Sequence, residues 1–201
     1  MRDTDSMQIF ERRIDAPPVP QEEGLRILRG LGLEVVPMPE LGELWCYEYA
    51  LNVAGGGAWD YDAETWTPSS SQFFSFDAEA FDVERMYLHY FDGLQSISRG
   101  ELSFSDVVQD NGGVDWETPG GTVAIRLRLN GADFAFAVDF EGDWLDVRIQ
   151  KAVNQALETL GIQKRFYSIH ADQGCVVFFC TEAWARAFEE ATLCFMSYNG
   201  D

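Results

Sequence analysis

The sequence is poor in the residues on which most recognisable enzyme sites are built. It has two histidines, His89 and His170, and four cysteines, Cys46, Cys175, Cys180 and Cys194, with no CxxC pair among them. That spacing argues against a zinc cage. No HExxH, GxSxG, GxGxxG or P-loop motif occurs. Neither histidine stands beside a serine or cysteine in a recognisable nucleophile motif, so both are expected in surface or capping roles. No run approaches the roughly 20 apolar residues of a membrane span, and Met1–Met7 contains no apolar signal core. Cys175 and Cys180 lie in an apolar run, five positions apart and so on opposite faces of one strand, where they read as small hydrophobes that cannot bridge each other. Together these absences imply a reduced, cytoplasmic setting. Internal repeats and low-complexity tracts are also lacking.

Basic residues are the scarcest charged class. Lys and Arg number 14 against 34 Asp and Glu, for a formal net charge of −20. The excess is even, with 18 acidic and 7 basic residues in 1–100 and 16 and 7 in 101–201. A negative surface on every side repels nucleic-acid phosphates and anionic lipid and attracts basic partners. No nucleic acid and no membrane partner is therefore expected.

Against these absences stand 46% hydrophobic and 14% aromatic residues, enough for a substantial core. One α+β domain over 1–201 is expected. Residues 1–40, with proline-rich Ala16–Pro20 and Pro37 and Pro39, would form a packed N-terminal segment, including a short strand at Met7–Ile14.

The clearest unit runs from Thr122 to Gly161. Val123, Ile125, Leu127 and Leu129 alternate with polar or small residues, as do Phe134, Phe136, Val138 and Phe140. Asn130-Gly131 between them suits a type I′ turn. A two-residue turn pairs Leu127 with Phe134, Ile125 with Phe136 and Val123 with Val138, and sets Arg128 opposite Asp133. A helix is expected after Asp143 as N-cap, with Asp146 in its first turn. Its buried face would comprise Leu145, Ile149, Ala152, Val153, Ala156 and Leu160, with Gly161 as the stop.

Elsewhere the pattern predicts a helix over Gln21–Leu31 and strands at Leu44–Asn52 and Gln72–Phe76, joined by a long aromatic loop. A helix within Asp77–Arg99 carries the stripe Val83, Met86, Tyr87, Tyr90, Leu94 and Ile97. A strand around Leu102–Val108 and a loop over Asp110–Gly121 follow. Lys164–His170 and Gly174–Cys180 read as strands, the second central, followed by a Thr181-capped helix and a last strand at Leu193–Tyr198. The class is α+β: a mixed, mainly antiparallel β-sheet with three to four helices packed against it.

Gly55-Gly56-Gly57 reads as a flexible turn, since a phosphate cradle would need a following helix. Asp60, Asp62 and Glu64 alternate as calcium ligands can, but Thr65 and Ser71 occupy the positions where an EF-hand needs glycine and glutamate. Cys175 follows a turn, yet its acidic surroundings oppose a thiolate. No catalytic residue, metal ligand or cofactor is assigned. The large aromatics among carboxylates have the composition of interface anchors with an acidic rim. These are Trp59, Asp60, Tyr61, Asp62 and Trp66 in one stretch, and Asp115, Trp116 and Glu117 in another. They are the expected partner-binding residues.

In size, acidity and aromatic content the chain resembles the small α+β immunity proteins of bacterial toxin systems. Many of these neutralise basic nuclease toxins by covering them. The resemblance implies a non-catalytic protein that binds a basic protein partner, and it transfers no residues. The alternatives are a hydrolase built on a carboxylate pair and a self-associating structural protein that forms homo-oligomers.

Overall fold

The computed structural model describes residues 18–60, 65–79, 82–118, 120–171 and 173–200. The strand expected at Met7–Ile14 lies outside them. Every strand pair among the described residues is antiparallel, and five helices accompany the strands, so the α+β class holds.

The Asn130-Gly131 hairpin forms as its pattern dictates. Strand β7 (Gly120–Leu129) pairs with β8 (Ala132–Asp139), placing Leu127 opposite Phe134, Ile125 opposite Phe136 and Val123 opposite Val138. Asn130 (φ 51°) and Gly131 (φ 83°) adopt the left-handed backbone that a type I′ turn requires. Arg128 donates to Asp133 at 2.8 Å on the outer face. Strand β6 (Phe104–Asp115) completes this sheet on the other side of β7.

The second three-stranded sheet has the order β5 (Phe73–Asp77), β10 (Gly174–Cys180), β9 (Arg165–Ala171). Its central strand is buried on both faces, as its continuous apolar run predicts. Helices α3 (Met86–Ile97) and α4 (Ile149–Thr159) lie between the two sheets, each in contact with both. Tyr87, Leu94, Ile125, Leu129, Val153 and Phe166 meet there in one core. The far side of the β5-β10-β9 sheet is covered by α1 (Gln21–Gly30), α2 (Tyr47–Gly55) and α5 (Glu182–Thr192), through Leu28, Leu51, Phe73, Phe178 and Phe188. Two ribbons, β1 (Val19–Pro20) with β2 (Leu44–Trp45) and β3 (Gly57–Asp60) with β4 (Thr65–Pro68), complete the strands.

Several expectations from the pattern are corrected. Leu44–Asn52 is a strand for two residues and then becomes α2, because Tyr47, Ala50 and Leu51 bury one helical stripe against the sheet. Gln72–Phe76 therefore pairs with β10 instead, and the aromatic stretch contains the β3–β4 ribbon. The glycine run is equally committed: Gly55 closes α2 where an added Cβ would lie 2.8 Å from the Phe73 ring, and Gly57 opens β3.

The expected loop over Asp110–Gly121 is largely strand, because β6 runs on to Asp115 through two bulges. Gly113 serves close backbone approach there: a Cβ on it would stand 2.8 Å from the Thr122 carbonyl oxygen. Helix α4 starts at Ile149 rather than after Asp143. Leu145 N–H donates to the Ala78 carbonyl at 2.8 Å and Trp144 bridges Glu79 and Glu141, which holds that segment to strand ends.

The last predicted strand is reduced to one bridge, Ser168 to Ser197. Asn154 of α4 explains why. Its amide donates to the Phe166 carbonyl at 2.8 Å and accepts from the Phe166 N–H at 2.8 Å, next to the Ser168–Ser197 exchange on the outer edge of β9. A buried side-chain amide thus stands where a fourth strand would pair, and it protects the edge. The same Nδ2 also donates to the Tyr198 carbonyl at 2.9 Å, and Gln150 donates to the Ser197 carbonyl at 3.0 Å.

Candidate partner-binding surface

The expected partner-binding residues fall in different settings. Trp59 and Asp60 lie on β3 and Trp66 on β4, with Trp59 paired to Trp66 in register. Tyr61 and Asp62 lie outside the described residues. Asp115, Trp116 and Glu117 form the β6–β7 turn. The Asp115 carboxylate accepts the N–H groups of Glu117 and Thr118 at 3.0 and 3.1 Å, which fixes the turn.

The turn is joined through Phe140, the end of the strand pattern, to the segment carrying Trp144, where the sequence predicts a helix start. The Trp116 ring meets Phe140 edge-on, with centroids 5.2 Å apart, yet the residue stays 54% exposed. Phe140 leads into Glu141, which bridges Trp144, and Trp144 is 39% exposed. Trp144 in turn bridges Glu79, and the Glu79 carboxylate accepts from Gln173 at 2.6 Å. Two part-exposed indoles therefore flank one short segment. The segments that carry them, and those bridged to them, hold the exposed carboxylates of Asp77, Glu79, Asp115, Glu117, Asp139, Glu141 and Asp143.

Arg148 holds this end together. Its guanidinium bonds Asp146 at 2.6 Å and Asp139 and Glu141 at 3.1 Å each. The hydrogen bond and charge of Asp146 push the guanidinium above its ordinary range. Asp146 is itself buried; its backbone N–H donates to the Tyr87 hydroxyl at 3.1 Å, and its carboxylate accepts the Arg148 N–H at 3.1 Å. Burial raises the Tyr87 phenol, which stays protonated. One arginine offsets part of the acidic rim and leaves a strong negative excess.

Sequence reasoning named Asp115–Glu117 and missed Trp144. A signal existed: Asp115-Trp116 and Asp143-Trp144 are the same acid–tryptophan dipeptide. Reading Asp143 as a helix cap obscured it.

The structure also brings His170 and Cys175 together across β9 and β10, with the Cys175 Sγ 3.0 Å from His170 Nδ1 and the Ser168 Oγ 3.3 Å from Nε2. Cys175 is only 2% exposed, so its sulfur packs in the core face. All four cysteines are thiols. Among the described residues no three of His, Cys, Asp and Glu converge in a way that would hold a metal ion, and no helix is long and apolar enough to cross a membrane. Comparison of the chain with protein-family models, curated proteins and solved structures finds no match.

Proposed function

We propose that this is a non-catalytic protein that acts by binding a basic protein, in the manner of an immunity-type inhibitor of a toxin-like partner in the bacterial cytoplasm. One observation carries the reading: Trp116 and Trp144, both part-exposed, are linked through Phe140 and Glu141, and the segments that carry them or bridge to them hold seven exposed carboxylates. Indole supplies rigid contact area at small entropic cost, and the surrounding charge speeds the encounter with a cationic surface. The net charge of −20 extends the attraction beyond the patch. The β3–β4 ribbon, with Trp59 and Trp66, is a second expected contact on the same compositional grounds.

The test is an affinity capture from native lysate, run in parallel with wild type and a Trp116→Ala, Trp144→Ala double variant. The expected result is a basic partner retained by wild type and lost from the variant, with an association rate that falls steeply as salt rises. A partner held equally by both proteins, or with an association rate indifferent to salt, refutes the reading. Hydrolysis of a substrate by the purified chain would favour the carboxylate-based alternative.

A further inference from the structure

A cavity of about 270 Å³ opens at the C-terminal end of β10. That strand's seven residues at about 3.3 Å each put it on the order of 20 Å from the acidic end. Its volume sits near the lower limit of small-molecule sites, about 300 Å³. Chain from five places converges on it: the end of α1, the residues before β5, the end of α3, the residues before β9, and the β10–α5 junction.

The lining is divided by chemistry. Leu33, Ile97, Phe178 and Trp184 supply apolar walls, and the Trp184 indole is fixed by donating to the Leu31 carbonyl at 2.9 Å. Arg99 and Lys164 supply the charge, opposed by Glu101, which ion-pairs with Lys164. The local balance is one positive charge in a chain that carries −20. Arg99 holds a left-handed backbone (φ 51°), and its Nε donates to the Ser71 carbonyl at 3.1 Å, leaving both terminal nitrogens as donors for another acceptor.

The β10–α5 junction adds further donors. Thr181 accepts the Trp184 N–H at 3.3 Å as cap of the eleven-residue α5, so its own hydroxyl proton is available. The Glu182 and Ala183 N–H groups that follow it, at the first two positions of the helix, face no intrahelical acceptor. Burial pushes the Cys180 thiol up to about 12, which keeps a wall of the cavity neutral at pH 7.

We infer that this cavity binds a small organic anion, with an acidic head group at Arg99 and Thr181 and a compact apolar body against Trp184 and Phe178. The inference rests on the cavity alone and is independent of the acidic end and its tryptophans. Cation and apolar wall act together: bulk water would compete effectively for a bare ion at an exposed arginine, whereas an apolar body that leaves water for the indole face adds its own free energy.

The probe is benzoate, titrated into the full chain labelled with ¹⁵N, with benzyl alcohol as the uncharged equivalent. Benzoate should shift the Trp184 indole N–H and the Thr181 amide in a saturable way at millimolar concentration. Benzyl alcohol should leave both in place. Arg99→Gln should weaken benzoate about tenfold or more, the loss of a charge-assisted hydrogen bond. Arg99→Gly removes the same charge while suiting the left-handed backbone, so it separates the effect from any folding defect. Shifts that do not saturate, equal shifts from benzyl alcohol, or benzoate affinity unchanged in Arg99→Gly would each overturn the assignment.

Discussion

Replacing Asn154 by leucine tests the arrangement on which the β9 edge depends. The side chain is fully buried, and its amide makes three hydrogen bonds, two to Phe166 and one to Tyr198, at 2.8 to 2.9 Å. Leucine is similar in size, so little cavity opens and the cost comes from the orphaned Phe166 N–H and the two carbonyls. Each buried polar group left without a partner costs about 1–3 kcal/mol. The carbonyls retain some capacity to relax, and the extra apolar burial returns about 1–2 kcal/mol. The expected net loss is about 3 kcal/mol, a large fraction of the roughly 5–15 kcal/mol that holds a typical domain. Guanidinium unfolding followed by circular dichroism measures it, and hydrogen exchange at the Phe166 amide locates it. That amide should pass from protected to fast-exchanging while amides on β10 keep their order of protection. A loss below about 1 kcal/mol, or a Phe166 amide that stays protected, would show that Asn154 is not the edge partner.

Three further outcomes follow from the same geometry. Gly131→Val should lower the melting midpoint, because nothing crowds the site and the whole cost, about 1–3 kcal/mol, is that of a β-branched residue at φ 83°; an unchanged midpoint would contradict the hairpin register. Tyr90→Phe should leave stability unchanged or raised in denaturant titration, since the buried Tyr90 hydroxyl finds no partner among the described residues; a clear loss would mean that the hydroxyl is bonded. Stability should fall as pH rises above 9: the Cys180 thiol ionises near its ordinary 9.0 when unfolded but only at about 12 when folded, so between those values the unfolded state alone releases the proton. Cys180→Ala should flatten that decline, and an equal slope in both proteins would refute the linkage.

What could be read from the sequence was local. The β7–β8 hairpin was legible because alternation and Asn130-Gly131 specify register within twenty residues, and the turn's left-handed angles admit few other residues. Thr181 as a cap and Gly174–Cys180 as the central strand were legible for the same reason. The Leu44–Asn52 segment misled because aromatic residues favour a strand locally, whereas a sheet face that needs covering rewards the Tyr47, Ala50, Leu51 helical stripe. Asn154 was invisible inside an amphipathic helix, since a polar residue beside a buried stripe reads as solvent-facing until the β9 edge arrives next to it.

The candidate sites divide along the same line. Composition alone dictated a net charge of −20 and an abundance of aromatics, and Asp115–Glu117 could be named as candidates from neighbours in sequence. Only tertiary structure joined Trp116 to Trp144 through Phe140, and only it gathered Arg99, Lys164, Thr181 and Trp184 around one cavity. The physical reason is one of range. Turn angles, strand alternation and caps are settled by residues a few positions apart. A surface patch or a cavity is settled by which distant segments the burial of the two cores forces together.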